Sequence, residues 1–181
     1  MEATSTLDAL LSPDDRRKDF FERLAMARPA ELLIAYHLAE QGHQVDIPPI
    51  TVNLENGESD HGDVLYIPKG RTKKKLAVEV KRRNFDFGPE MPSAWEKNGR
   101  MSIWLMNKDR FDNADPRIEY IFIVNRLLTG AFVVCRNSKY MWHIDVGSDN
   151  TRRTSELKYA CDQSAGMWVD LDHLKAKYFA A

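Results

Sequence analysis

Apolar and polar positions alternate most clearly between Gly62 and Arg83. Val64-Leu65-Tyr66-Ile67 forms one apolar-rich run, Leu76-Ala77-Val78-Glu79-Val80-Lys81 a second, and the polar stretch from Pro68 to Lys75 joins them. Val, Ile, Leu and Tyr suit a pleated surface and the connector carries turn formers, so the two runs predict a β-hairpin. In the second run, period-two alternation puts Leu76, Val78 and Val80 on one face and Ala77, Glu79 and Lys81 on the other. A carboxylate and an ammonium therefore emerge side by side.

Upstream, the pattern is helical. Ser12-Pro13-Asp14-Asp15 reads as a helix start, with a hydroxyl cap, proline at the first helical position and acids in the first turn. Phe20, Phe21, Leu24 and Met26 follow, and this helix is expected to stop or kink before Pro29. A second helix, from about Pro29 to Gln41, is closed by Gly42. The segment from Gln44 to Leu54 reads as a bent or edge strand, because its prolines cannot donate in a central ladder. Asn56-Gly57 makes a turn, and Asp60 and His61 suit either turn bonds or metal chemistry.

Downstream of the hairpin, Ser93-Ala94-Trp95-Glu96 fits a capping box for a short helix ended by Asn98-Gly99. Met101 to Met106 is expected as a strand, and Asn107 to Asp115 as a polar turn segment. Glu119 to Val124, apolar on both faces, is expected at the centre of the sheet. Strands are further predicted at Ala131 to Cys135, Tyr140 to Val146 and Met167 to Leu171, with a closing helix from Asp172 to Phe179. Gly147 to Glu156, which includes Arg152 and Arg153, reads as a mobile or substrate-facing loop. Together these elements give an α/β fold with a mixed central sheet flanked by helices.

Composition narrows the class. The 181 residues fit one domain, residues 1–181, with residues 1–11 as a flexible N-terminus, and the chain is long enough to bury a core unaided. No stretch is apolar for long enough to span a bilayer and no signal segment opens the chain, so a cytoplasmic protein is expected. Cys135 and Cys161 lie far apart without metal-site spacing and are expected as free thiols. A net charge of −1 does not suit a general DNA-coating protein. Locally the balance differs: Lys69, Arg71, Lys73, Lys74, Lys75, Lys81, Arg82 and Arg83 face Glu79 as the only acid between residues 69 and 83. This is either a turn kept soluble by lysines or a surface for phosphates.

The order Asp63, hairpin-length gap, Glu79-Val80-Lys81 resembles the core of the PD-(D/E)xK (restriction-endonuclease-like) nuclease superfamily, with Gly62 in place of the family's proline. The order of elements, a helix carrying a glutamate followed by strands carrying Asp and Glu-x-Lys, matches as well. The resemblance implies that Asp63 and Glu79 hold Mg2+ or Mn2+, that the Val80 carbonyl is a further ligand, and that Lys81 is the catalytic lysine. Many such proteins carry another acid on the preceding helix. Glu31, with Ile34, Ala35, Leu38 and Ala39 as its helical neighbours, sits in the apolar stripe and is the candidate, with Glu22 and Glu40 as alternatives. An acid in a first helical turn also suits the helix dipole without any site. His37 reads as a partly buried histidine rather than a ligand.

Hard cations take oxygen ligands, and a metal that polarises a phosphoryl oxygen and acidifies water is suited to phosphodiester hydrolysis. The expected activity is therefore a metal-dependent nuclease acting on nucleic acid, DNA as in most of the superfamily, with a homodimer as a frequent arrangement. A catalytically silent relative that binds nucleic acid or protein is the alternative. Arg82, Arg83, Lys73, Lys74, Lys75, Arg152 and Arg153 are the candidate phosphate contacts, and Phe85 and Phe87 are expected to cover the core.

Overall fold

The computed structural model describes residues 13–48, 63–71, 74–89, 96–97, 100–101, 103–114, 116–149 and 154–179. Its helices are α1 (Pro13–Glu40), α2 (Lys108–Asp112) and α3 (Asp172–Phe179). Its strands are β1 (Gln44–Asp46), β2 (Val64–Ile67), β3 (Leu76–Arg82), β4 (Glu96–Lys97), β5 (Arg100–Met101), β6 (Ile103–Asn107), β7 (Ile118–Val124), β8 (Gly130–Cys135), β9 (Trp142–Asp149), β10 (Thr154–Cys161) and β11 (Gly166–Asp170). A six-stranded sheet runs β1-β2-β3-β7-β8-β11, and a three-stranded sheet runs β6-β10-β9. The β3·β7 pair is parallel and the other pairs are antiparallel, so the large sheet is mixed. The α/β class expected from the pattern is the one observed.

Alternation along the central strands builds the layers. Val78 and Val80 of β3, Phe122 and Val124 of β7, and Ala131 and Val133 of β8 pack with Ala30, Leu33, Ile34 and Leu38 of α1 and Leu174 of α3. Their neighbours Ile121 and Ile123 of β7 and Phe132 and Val134 of β8 face the other way. They pack with Ile103 and Leu105 of β6, Phe111 of α2 and Tyr159 and Cys161 of β10. The large sheet is thus covered by α1 and α3 on one face and by the small sheet with α2 on the other. β7, buried on both faces between β3 and β8, is central as its apolar run predicts.

Several elements differ from the sequence reading. α1 runs unbroken through Pro29, so the two predicted helices are one. Burial of Ala30, Leu33 and Ile34 on both turns after the proline outweighs the backbone bond it removes. Gly42 does close the helix, at φ 87°: its N–H reaches the Ala39 carbonyl and that of His43 the Leu38 carbonyl, a Schellman ending that positive φ permits. Glu96 and Lys97 are not helical. They pair with Met101 and Arg100 as antiparallel strands, and Asn98 and Gly99 lie outside the described residues. The polar segment after β6 holds α2, capped by the Asn107 side chain, which accepts from the N–H groups of Asp109 and Arg110. The expected loop of residues 147–156 is largely strand, because β9 continues to Asp149 and β10 begins at Thr154. The strand expected from Tyr140 begins at Trp142, after a 3-10 turn over Arg136–Met141. β1 is an edge strand as expected, and residues 49–62 of the segment that follows it lie outside the described residues. α3 has its predicted bounds, and both cysteines are free.

Candidate active site

The β2–β3 hairpin positions the central residues. Val64 pairs with Val78, and Asp63 stands just before this last pair of the ladder, where its carboxylate feels that of Glu79 and the charge of Lys81. Glu79 shares the sheet face of Ala77, away from α1, and Lys81 follows two residues on along β3. Backbone bonds fix Asp63 in place: its N–H donates to the Val78 carbonyl at 3.0 Å, and the Val80 N–H donates to Asp63 Oδ2 at 2.6 Å. The Lys81 ammonium donates to Glu79 Oε1. The Glu79 side chain is 13% exposed and that of Lys81 35%, so the pair sits at a sheltered rim.

Charge is concentrated there. Burial, and next the Glu79 carboxylate, push Asp63 up to about 7, against the downward pull of Lys81 and of the Val80 N–H; Glu31 adds a smaller upward push. For Lys81, burial works against the charge, but the Glu79 and Asp63 carboxylates outweigh it and raise its pKa. The ammonium therefore stays protonated beside two acids across the neutral range.

Glu31 comes from α1, the helical side of the sheet. It is buried, and its Oε2 accepts from Arg28 Nη1 at 2.7 Å. With α1 continuous, Glu31 lies mid-helix, and the first-turn dipole explanation for an acid there does not apply. Its charge is felt at Asp63, but among the described residues no three His, Cys, Asp or Glu side chains gather as a metal-holding group. The donor set that does meet is Asp63 with Glu79. Asp63 Oδ2 is taken by the Val80 N–H and Glu79 Oε1 by Lys81, which leaves one oxygen on each carboxylate. Two like-charged, partly buried oxygens fit a hard divalent cation of the Mg2+ kind, which binds through one or two carboxylates and keeps its waters or takes substrate phosphates. Glu31 stays tied to Arg28. Glu40, one of the alternatives to Glu31, is engaged elsewhere: Lys177 lies 2.7 Å and His173 3.4 Å from its carboxylate. The Glu22 side chain is outside the described residues. His37 is half-buried, shares a 2.9 Å contact with Gln41 and meets the edge of Phe122, in keeping with a packed histidine.

The basic candidates divide. Arg82 donates to the Met26 carbonyl at 2.7 Å and to the Arg126 carbonyl at 2.9 Å, tying α1 and the β7–β8 connection to the end of β3. Arg83 donates to the Trp104 carbonyl, and burial lowers its pKa. Lys74 is exposed, and Lys75 lies 3.7 Å from Asp46. Lys73, Arg152, Arg153, Asp60 and His61 lie outside the described residues. Phe87 is buried in the core as expected, while Phe85 is 38% exposed and leans on Phe87. The pattern reading missed Arg110 of α2, whose charge acts on Lys81. Asn107 followed by Asp109 was the available signal, a cap with an acid in the first turn.

Among the described residues no helix is long and apolar enough to cross a membrane. Comparison with known proteins returns no family model, no curated protein and no solved structure that matches the chain, so the resemblance to the nuclease superfamily rests on the residues themselves.

Proposed function

We propose that the chain is a metal-dependent nuclease with a restriction-endonuclease-like core, which hydrolyses phosphodiester bonds in nucleic acid, with DNA as the substrate class. The observation that carries this reading is the meeting of the Asp63, Glu79 and Lys81 charges at the end of the β2–β3 hairpin, with Asp63 bonded to the Val80 N–H and Lys81 bonded to Glu79. In this reading the protein works in the cytoplasm and as a homodimer, one subunit per strand.

Asp63 and Glu79 would hold Mg2+ or Mn2+, with the Val80 carbonyl beside them. When bound, the ion supplies Lewis acidity toward a phosphoryl oxygen and toward water. Glu79 positions the Lys81 ammonium, which hydrogen-bonds the attacking water and offsets charge developing on the phosphoryl oxygens. The Val80 N–H holds Asp63 through one carboxylate oxygen, and the other would be offered to the ion. Glu31, paired with Arg28, adds negative potential at Asp63.

The test is metal-dependent cleavage of supercoiled plasmid, single-stranded DNA, branched DNA and RNA, run beside Lys81→Ala and Glu79→Ala. The expected result is a loss of about a hundredfold or more in rate for each variant. Cleavage that persists in both would remove these residues from the chemistry.

A second reading, a silent relative that binds nucleic acid or a protein, is favoured by one observation: Glu79 is occupied by Lys81 and no third acid joins the pair among the described residues. Binding without cleavage under every metal tried would select it.

A further inference from the structure

Three large apolar side chains stand in solvent where the chain leaves β3. Phe85 is 38%, Leu127 51% and Met26 55% exposed. They belong to the segment after Lys81, the β7–β8 connection and α1, and hydrogen bonds join the three backbones. One guanidinium, that of Arg82, donates to the Met26 carbonyl at 2.7 Å and to the Arg126 carbonyl at 2.9 Å. The Arg126 N–H donates in turn to the Phe85 carbonyl at 3.1 Å. Asp86 closes the arrangement: its Oδ1 accepts from the Leu127 N–H at 3.0 Å and its Oδ2 from the Arg126 guanidinium at 2.6 Å.

The exposure of Phe85 follows from these bonds. The place that a ring from this segment takes in the core is held by Phe87, whose centroid lies 5.8 Å from that of Phe85 and whose carbonyl accepts from the buried Asn125 amide at 2.9 Å. Pinned on both sides, the segment has no slack to turn Phe85 inward. A ring held rigidly in solvent has already met most of the ordering cost of binding.

Size and place decide what it takes. Three partly exposed side chains offer a few hundred Å2, well under the ~800 Å2 that each partner buries in a stable protein–protein interface, so they do not suffice for a second copy of the chain. A nucleobase matches them in size. Phe85 is four residues beyond Lys81, no more than about 13 Å along an extended chain, and the Arg83 N–H, bonded to the Val124 carbonyl at 2.8 Å, keeps that stretch alongside β7. An aromatic face stacks any base, whereas bases within a duplex already stack on one another, so an unpaired base is the one that offers a free face. Arg126, 56% exposed, gives Nε and Nη2 to Asp86, which among the described residues leaves Nη1 for a phosphate oxygen.

Resting on the nuclease reading, we infer that Phe85, flanked by Leu127 and Met26, is a stacking platform for an unpaired base beside the cleaved phosphate, so that the substrate is DNA with a single-stranded stretch at the cut. Phe85 is a binding residue and takes no part in activating water.

The test compares wild type, Phe85→Ala and Phe85→Tyr on three fluorescein-labelled DNAs: an oligothymidylate, a fork with unpaired arms and an unbroken duplex. Binding is read by fluorescence anisotropy in Ca2+, a hard cation with the same oxygen preference as Mg2+, and steady-state cleavage is read in Mg2+. Phe85→Ala should raise the Kd for the oligothymidylate and the fork about tenfold and that for the unbroken duplex by less than about twofold, the loss in cleavage appearing in KM. Phe85→Tyr, which keeps a ring, should bind as the wild type does. An oligothymidylate carrying 5-iodouracil, irradiated on the wild-type protein, should cross-link to Phe85. Thermal midpoints are compared so that a folding effect is not read as lost binding. Equal affinity of wild type and Phe85→Ala for all three DNAs, or cross-linking confined to other residues, overturns the inference and leaves the nuclease reading standing. Self-association of the wild type that Phe85→Ala loses while its DNA affinity is intact overturns it in favour of a contact between copies. If the wild-type protein neither binds nor cuts any of these DNAs, the nuclease reading fails and the inference with it.

Discussion

Glu31 is buried on α1 with Arg28 as its bonded partner, and its charge reaches Asp63. A carboxylate in an apolar stripe is retained either for the fold or for the site, and substitutions separate the two. Arg28→Met leaves the acid without its cation and should lower stability by about 1–3 kcal/mol, below the usual loss for a fully buried pair because Arg28 is 31% exposed. Arg28→Met with Glu31→Leu removes both charges and should return to wild-type stability or above. Urea unfolding of the single and double variants measures this. A double variant as unstable as Arg28→Met would make Glu31 a structural residue. Much at this scale was legible: Leu76, Val78 and Val80 facing the helix fixed the direction of Glu79 and Lys81 before any coordinates. What the pattern could not reveal is which charges are already engaged. Arg82 and Arg83 read as free cations in sequence, yet they bond the carbonyls of Met26, Arg126 and Trp104, because hydrogen-bond partners so distant along the chain leave no local trace.

At the scale of elements, α1 keeps a proline in its interior, where the missing N–H leaves the Ala25 carbonyl without its helical donor and the ring crowds the preceding turn. Pro29→Ala should therefore stabilise the protein by about 1–3 kcal/mol, read as a higher urea midpoint at unchanged slope. A midpoint that stays or falls would mean that the proline ring itself is needed to seat Ala30, Leu33 and Ile34 on the sheet. The elements that escaped the sequence pattern share a physical cause. α2 is five residues long with Phe111 as its buried side chain, too short for a helical period to register. The sequence Asn98-Gly99 suits a helix end and a hairpin turn alike, so it could not tell that Glu96 and Lys97 pair as strand with Met101 and Arg100. β10 opens on the polar residues Thr154, Ser155 and Glu156, and its first apolar side chain, Leu157, is 50% exposed, so the start of the strand reads as part of the loop from Gly147 to Glu156. Long strands buried on both faces, β7 above all, carry their own signal.

Across the whole molecule, the parallel pairing of β3 with β7 requires a crossover connection, and β6 and α2, which lie between them in the chain, pack against the face that bears Glu79 and Lys81. The crossover shelters the acid pair, and folding brings Asp63 and Glu79 into mutual repulsion that an unfolded chain does not feel. A cation held between them would bind the native state and not the unfolded one, so thermal unfolding reports on the site without reference to catalysis. At pH 8, above the value of about 7 to which Asp63 is raised, Asp63 carries its charge and its repulsion with Glu79 is greatest. Mg2+ or Mn2+ at about ten times its dissociation constant should then add about 1.4 kcal/mol of stability. For a chain of this size that is a midpoint shift of about 3–6 °C. Asp63→Asn should move the two measurements in opposite directions: the metal-free midpoint rises because the repulsion is gone, and the response to metal disappears because a ligand is gone. Ca2+ serves as a second hard cation, and a monovalent salt at matched ionic strength controls for screening. A midpoint that metal leaves in place in the wild type, or raises equally in Asp63→Asn, would dissociate the acid pair from metal binding and leave the hairpin as a structural ion-pair network.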